Sequence, residues 1–222
     1  MVNQLVGFGA SSGGVAAALP PTVAFRGSLF SETVNTRTFS ATIDLGTEDP
    51  SRLIVVGTTC VTGSAEAPTG CTVDGVAATL AIEHTDAGIT AVPAQLWYVA
   101  KPTGGSVTVG FTKPGGADMD RGAFAVWSVY NLNTATPADT ASDPTNPLSL
   151  DLTVADHAVV FAVGTSSDSS QTWSYAGVAS DATGGTSLRS TFASASGVAA
   201  GTRTITLTSS TTARSGVSAC WR

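Results

Sequence analysis

The sequence predicts an all-β protein: an antiparallel β-sandwich, jelly-roll-like, with an extended N-terminal arm. Three observations predict it. From Thr22 onward, short β-branched and aromatic runs follow one another, separated by clusters of Gly, Pro, Asp and Asn. Several runs alternate with a period of two, as in Ser106-Val107-Thr108-Val109-Gly110-Phe111-Thr112 and Thr202-Arg203-Thr204-Ile205-Thr206-Leu207-Thr208. Such strands bury one face and wet the other, as antiparallel sheets do. No helical pattern of roughly 10–15 residues separates the strands, so α/β folds drop out.

Residues 1–21 read as the arm. They are rich in Gly, Ala and Ser, close on Pro20-Pro21, and carry an apolar patch at Leu5, Val6 and Phe8. With no amphipathic period the segment cannot build its own core. Its apolar patch suits an extended assembly arm laid along a partner. The sandwich then occupies 22–222.

Strands are expected near Val23–Phe30, Thr38–Leu45, Leu53–Cys60, Thr72–Val73, Ala77–His84, Ala94–Ala100, Ser106–Thr112, Ala123–Asn131, Leu148–Val154, Ala158–Thr165, Thr172–Ala176, Leu188–Ala195, Thr202–Leu207 and Gly216–Trp221. The continuous run Phe124–Tyr130 reads as a central strand covered on both sides. Asp74-Gly75 lies between two strand-like runs and predicts a tight hairpin, because both residues tolerate positive φ. The proline-bearing stretch Asn131–Asn146 has no apolar period and is expected to cross from one sheet to the other.

Composition narrows the function. Hydrophobic residues make up 42% and mean hydropathy is +0.23, so the chain can fill a core; charged residues are only 12%, about half the usual share. Hydroxyl residues must cover the surface, a pattern common in extracellular and virion β-proteins. A net charge of −6 with scattered Lys and Arg argues against nucleic-acid binding. No run approaches the roughly 20 apolar residues of a membrane span, and the first basic residue is Arg26, which gives no secretory signal.

The cysteines are Cys60, Cys71 and Cys220. Cys60 and Cys71 bracket a turn-rich loop, so a disulfide and two separate buried thiols both fit. No CxxC pair occurs, and neither His84 nor His157 lies near a cysteine. No metal or other cofactor is expected.

Residues with catalytic chemistry read as structural. Gly9-Ala10-Ser11-Ser12-Gly13 matches the GxSxG pattern but lacks the strand before it and the helix after it. Glu66, Asp74, Glu83 and Asp86 surround loops where acids are ordinarily solvated, and Asp118 and Asp120 fall short of a calcium loop. No enzyme activity is expected. Trp127 and Trp221 sit in apolar runs and are assigned to packing. Trp173, beside Tyr175 and after the turn Ser166–Ser170, is the candidate for an exposed aromatic platform.

Several motifs recur in a fixed order: Leu5-Val6-Gly7-Phe8-Gly9-Ala10; Thr22-Val23-Ala24-Phe25-Arg26; Asp49-Pro50-Ser51-Arg52-Leu53-Ile54-Val55-Val56; Val73-Asp74-Gly75-Val76-Ala77-Ala78-Thr79; Val107–Phe111; Ala123–Leu132 with Thr136–Ala141; and Ala219-Cys220-Trp221-Arg222. Together they cover most of the chain, and their order resembles a β-sandwich module found in virion proteins of tailed bacteriophages and prophages. The resemblance implies a non-enzymatic virion protein: a head decoration, head fibre, or tail appendage. It would be made in the host cytoplasm and assembled as a homo-oligomer on capsid or tail proteins. A carbohydrate-binding module or adhesin recognising a host surface glycan is the alternative. The resemblance brings no catalytic residue with it.

Overall fold

The structure, a computed structural model, describes residues 19–62, 66–86, 91–113, 118–166, 168, 170–210 and 215–222. The arm residues Leu5, Val6 and Phe8 and the 9–13 motif lie outside the described residues. In the first half the strands are β1 (Thr22–Ser31), β2 (Thr38–Asp44), β3 (Leu53–Thr62), β4 (Gly70–Val73), β5 (Val76–Ala77), β6 (Thr79–Asp86), β7 (Val92–Ala100), β8 (Ser106–Thr112) and β9 (Met119–Tyr130). In the second they are β10 (Asp139–Asp143), β11 (Leu148–Val154), β12 (Ala158–Ser166), β13 (Trp173–Ala176), β14 (Ala179–Gly184), β15 (Arg189–Val198), β16 (Gly201–Ser209) and β17 (Ser215–Trp221). The all-β antiparallel expectation holds. Among the described residues no helix is long and apolar enough to cross a membrane.

The apolar period of each strand decides its layer. Alternating strands such as β2, β8 and β11 bury every second residue and form outer sheets. Strands with continuous apolar runs, β3, β12 and β17, are buried at every position and form inner sheets. The first inner sheet has the order β1-β9-β3-β7-β6, and its outer partner β2-β8-β4-β5. The second inner sheet has the order β10-β17-β12-β15-β14, and its outer partner β11-β16-β13. Pairing is antiparallel throughout these ladders.

Apart from β5, which has no counterpart, these orders are one order written twice. If β14 stands for β6, strand for strand the second half repeats the first: β10 for β1, β11 for β2, β12 for β3, β13 for β4, β15 for β7, β16 for β8 and β17 for β9. The clearest sequence trace is Gly122-Ala123-Phe124-Ala125-Val126-Trp127 in β9 against Gly216-Val217-Ser218-Ala219-Cys220-Trp221 in β17. Both glycines do the same job. A β-carbon on Gly122 would come within 2.4 Å of the Phe39 ring on β2, and one on Gly216 within 2.6 Å of Leu148 on β11.

Three core layers result where the sequence predicted a single sandwich over 22–222. Phe39, Phe111, Ile54, Val56, Phe124 and Trp97 fill the first sandwich. Leu148, Leu150, Val160, Ala162 and Leu207 fill the second. Between the two inner sheets lies a layer built on Trp127, Phe161, Phe192 and Trp221. Phe161 stands between the indoles, its ring centroid 5.1 Å from Trp127 and 5.6 Å from Trp221. The packing role assigned to both tryptophans is the one they take. Gly57 opens space opposite: a β-carbon there would meet Val163 Cγ2 at 2.7 Å.

The Asp74-Gly75 hairpin forms as expected, with φ of 54° and 75° at the two residues and Val73 paired to Val76. The stretch expected to be a plain crossing contains β10, and β14 was also not foreseen. Both are edges of the second inner sheet.

Glu32 ties the halves together outside the core. Its Oε1 accepts hydrogen bonds from Thr186 N at 2.6 Å and Ser187 N at 3.4 Å, and Arg121 Nε lies 3.4 Å from its Oε2. Burial is the largest single influence on this carboxyl and pushes its pKa up. The bonds from Thr186 and Ser187, with Arg121, together outweigh it and hold the pKa below the ordinary 4.5. A depressed folded pKa gives stability that is present above the unfolded value and is lost as pH falls through the folded one. Urea midpoints should therefore show Glu32→Gln less stable than wild type near pH 7 by a few tenths of a kcal/mol. The gap should close in acid, below about pH 4; a gap unchanged with pH would contradict the assignment.

Candidate functional site

At one end of the first sandwich a cleft of about 470 Å³ is lined by Glu66, Ala67, Thr69, Glu83 and Lys113. Three elements bring its charges together. Glu66 lies in the segment entering β4, Glu83 is on β6, and Lys113 directly follows β8. The Lys113 side chain is 1% exposed, whereas that of Glu66 is 69% exposed, with Lys113 Nζ 3.6 Å from Glu66 Oε2. The lysine stem is thus wall, and the pair spans from interior to solvent.

Glu83 is positioned by a polar ladder from the core. Trp97 Nε1 donates to Thr58 Oγ1 (3.1 Å), which donates to Gln95 Oε1 (3.0 Å); Gln95 Nε2 donates to Glu83 Oε2 (2.7 Å) and to Pro68 O (2.8 Å). Thr85 Oγ1 donates to Glu83 Oε1 at 3.1 Å. Gln95 is directly opposite Glu83 in the β6–β7 register, so both share the face turned toward the first outer sheet. The carboxylate is an oriented acceptor whose direction the fold sets.

Glu66 and Glu83, named from the sequence, meet in this cleft. Asp74 and Asp86 do not line it: Asp74 Oδ2 pairs with Lys101 Nζ at 2.8 Å, and Asp86 N donates to Ser215 Oγ at 3.1 Å. Sequence reasoning missed Lys113 and Gln95, since neither carries a local motif. Asp118 pairs with Arg37 at 2.9 Å and Asp120 accepts from Asn35 N at 2.7 Å, so both serve a neighbouring loop. Among the described residues no group of three or more His, Cys, Asp or Glu is placed to hold a metal ion.

Two further constellations carry polar or aromatic groups of the kind that catalysis or binding uses. His84 Nδ1 lies 3.2 Å from Ser215 Oγ, a serine–histidine contact between the halves. Ser215 is fully buried. A nucleophile has to reach a substrate carbon, and this hydroxyl instead bridges two sheets. Trp173 and Tyr175 pack against the second sandwich core, half-buried. The Tyr175 hydroxyl lies 2.8 Å from Thr183 Oγ1 and 2.6 Å from Thr191 Oγ1. Their faces are spent on packing and do not form an exposed platform.

Of the two arrangements that fit Cys60 and Cys71, a disulfide or two separate buried thiols, the structure has the second. All three cysteines are free and buried. Cys60 and Cys71 both lie in the first core, where each fills space as a small hydrophobe. Burial pushes the Cys71 thiol up to about 12, and pushes Cys60 up further despite the opposing pull of Lys113. Thiolate is the reactive form. No cysteine should therefore label with a disulfide reagent in the folded protein, all three should label in denaturant, and dithiothreitol should leave Tm unchanged. Rapid labelling without denaturant would contradict this.

No family model, curated protein or solved structure matches this chain.

Proposed function

We propose that the chain is a non-enzymatic structural or accessory protein of a tailed-phage virion, a head- or tail-attached appendage or decoration subunit that assembles with copies of itself and with capsid or tail proteins. The observation that carries this reading is where the buried polar chemistry goes. Arg52 spends its guanidinium on loop carbonyls, and Trp127 Nε1 reaches across the halves to Asp181 Oδ2 at 2.9 Å. These groups make a stiff body whose rims are left for contact. The order of motifs from Thr22 to Trp221 supports the same reading. We read each half as jelly-roll-like, on the ground that its two sheets interleave early and late strands as Greek-key connections do.

The test is mass spectrometry and electron microscopy of purified particles. The protein should co-purify with virions at fixed stoichiometry. Recovery only as free protein in the medium would sink the reading. Recognition of a surface glycan is the second reading, favoured by the open mixed-charge cleft in preference to the packed Trp173 and Tyr175.

A further inference from the structure

A second cleft, of about 200 Å³, opens at one end of the first inner sheet. That end gathers the start of β1, the end of β9, the start of β3 and the end of β7, since Thr22 pairs with Tyr130 and Leu53 pairs with both Val129 and Ala100. Most polar groups around the cleft are engaged within the chain. Arg52 gives its guanidinium to loop carbonyls, and Ser51 Oγ donates to Asp49 Oδ1 at 2.6 Å. Asn133 N and Thr134 N donate to Arg222 O at 2.8 and 3.2 Å, and Thr134 Oγ1 donates to Thr136 O at 3.1 Å. The lining keeps Pro50, Leu53, Ala100, Leu132 and Ala135 for a visitor, so the visitor is apolar. The volume is short of the roughly 300–1,000 Å³ of small-ligand pockets but exceeds the roughly 150 Å³ that holds a benzene ring. One aromatic side chain fits.

The N-terminal segment leaves the body beside this cleft. Pro20 O accepts from Asn131 Nδ2 at 3.4 Å, and Asn131 N donates to Ser51 Oγ at 3.3 Å, so a single residue separates the exit from the lining. Ahead of Leu19, outside the described residues, the sequence carries the patch Leu5-Val6-Gly7-Phe8, which its Gly- and Ala-rich surroundings cannot bury by themselves. Residues 9–18, between patch and exit, span about 35 Å when extended. Pro20 and Pro21 hold φ near about −65° and keep the residue before each of them extended. The exit therefore continues the line of β1 past the end of the sheet, and Leu19 on this path is 69% exposed. An arm leaving in that direction runs away from its own cleft and toward the same end of a copy that faces it.

We infer that the cleft of one copy receives the Phe8 ring of a second copy, with Leu5 and Val6 alongside, and that the exchange is reciprocal. Because exit and cleft adjoin, two copies meet end to end about a two-fold axis, each arm in the other's cleft. Such a contact closes at two subunits and does not grow into a filament. The inference rests on the reading of the chain as a self-assembling subunit and gives that assembly a contact surface.

The experiment follows the mass of the whole protein by sedimentation equilibrium over a wide concentration range. A dimer should form. Phe8→Ser should weaken it at least tenfold, and so should Ala135→Trp, which fills the mouth of the cleft from an exposed position; both variants should keep the wild-type circular dichroism. Gly9→Cys and Ala135→Cys, prepared as separate proteins, mixed, equilibrated and oxidised, should give a disulfide between chains, read by mass spectrometry of the linked peptides. The exchange is overturned by a protein that stays monomeric throughout, by a dimer that persists in either variant, or by no link between chains. A link within one chain when both cysteines are placed in the same protein, with none between chains, would overturn it too. None of these outcomes touches the virion reading, which depends on recovery of the protein in purified particles.

Discussion

Replacing Arg52 with Met should cost at least about 3 kcal/mol, because buried hydrogen bonds to a charged group are each worth about 1.5–3 kcal/mol and the acceptors left behind lose their partners. Arg52 is 1% exposed and directly precedes β3. Its Nε donates to Lys101 O at 2.7 Å. Its Nη1 reaches Gly46 O and Thr47 O, each at 3.0 Å, and Leu45 O at 3.4 Å. Its Nη2 reaches Thr103 O at 2.9 Å and Gly104 O at 2.8 Å. One planar fork thus ties the β2–β3 loop to the β7–β8 loop. Arg52→Lys should recover less than half of the loss, since an ammonium has three donors on one atom and cannot span both loops. Urea midpoints give the energies. Hydrogen exchange should show the amides of Asp49 and Lys101, which are bonded across these loops, losing protection first. A change within 1 kcal/mol for Arg52→Met, on the scale of ordinary surface substitutions (about 0.5 kcal/mol), would refute the clip.

Phe161→Ala should cost a similar amount, about 4 kcal/mol, through the cavity it leaves among large side chains. The ring is fully buried between Trp127 and Trp221, and Phe192 lies 6.4 Å from Trp127 on the same layer. If the halves are one folding unit, unfolding remains a single transition at a lower urea midpoint. Phe161→Leu should cost less, since most of the volume is kept. A loss under 1 kcal/mol for Phe161→Ala would mean that the layer between the inner sheets is not a close-packed core.

Strands that touch a core were legible, because burial writes its period into the sequence. Ser106–Thr112 and Leu148–Val154 were read with the bounds they have. β10 and β14 were not, and their place explains it. As sheet edges they bury little: Asp-Thr-Ala-Ser-Asp and Ala-Ser-Asp-Ala-Thr-Gly hold no apolar alternation, and only the neighbouring strands recruit them. The repeat was hidden for a similar reason. What the halves share is a pattern of facing, and the pattern tolerates exchange of Phe39 for Leu148 or Phe124 for Ser218. Continuous runs such as Phe124–Tyr130 did announce coverage on both faces, and such runs in both halves imply more than two layers.

The cleft was half legible. Glu66 and Glu83 were visible as acids near loops, but nothing local links them to Lys113. That link runs across the first sandwich, from β6 of the inner sheet to the ends of β4 and β8 in the outer one. Gln95 looks like any strand glutamine until its register with Glu83 is known. Arg52 opens the strand run Leu53–Val56, and its role depends on two loops that meet only in the fold.

The middle layer has a mechanical consequence. With sheets about 10 Å apart, the outer surfaces lie about 30 Å apart at opposite poles, one bearing Thr38, Ser40, Thr42 and Thr108, the other Ser149, Thr153, Thr202 and Thr204. Tension between the poles loads aromatic side chains at mid-height, while main-chain ladders run along the sheets and do not resist separation in that direction. The body would cleave along the tryptophan plane before any sheet tore, and the chain crossing between Tyr130 and Asp139 would be the tether that remained.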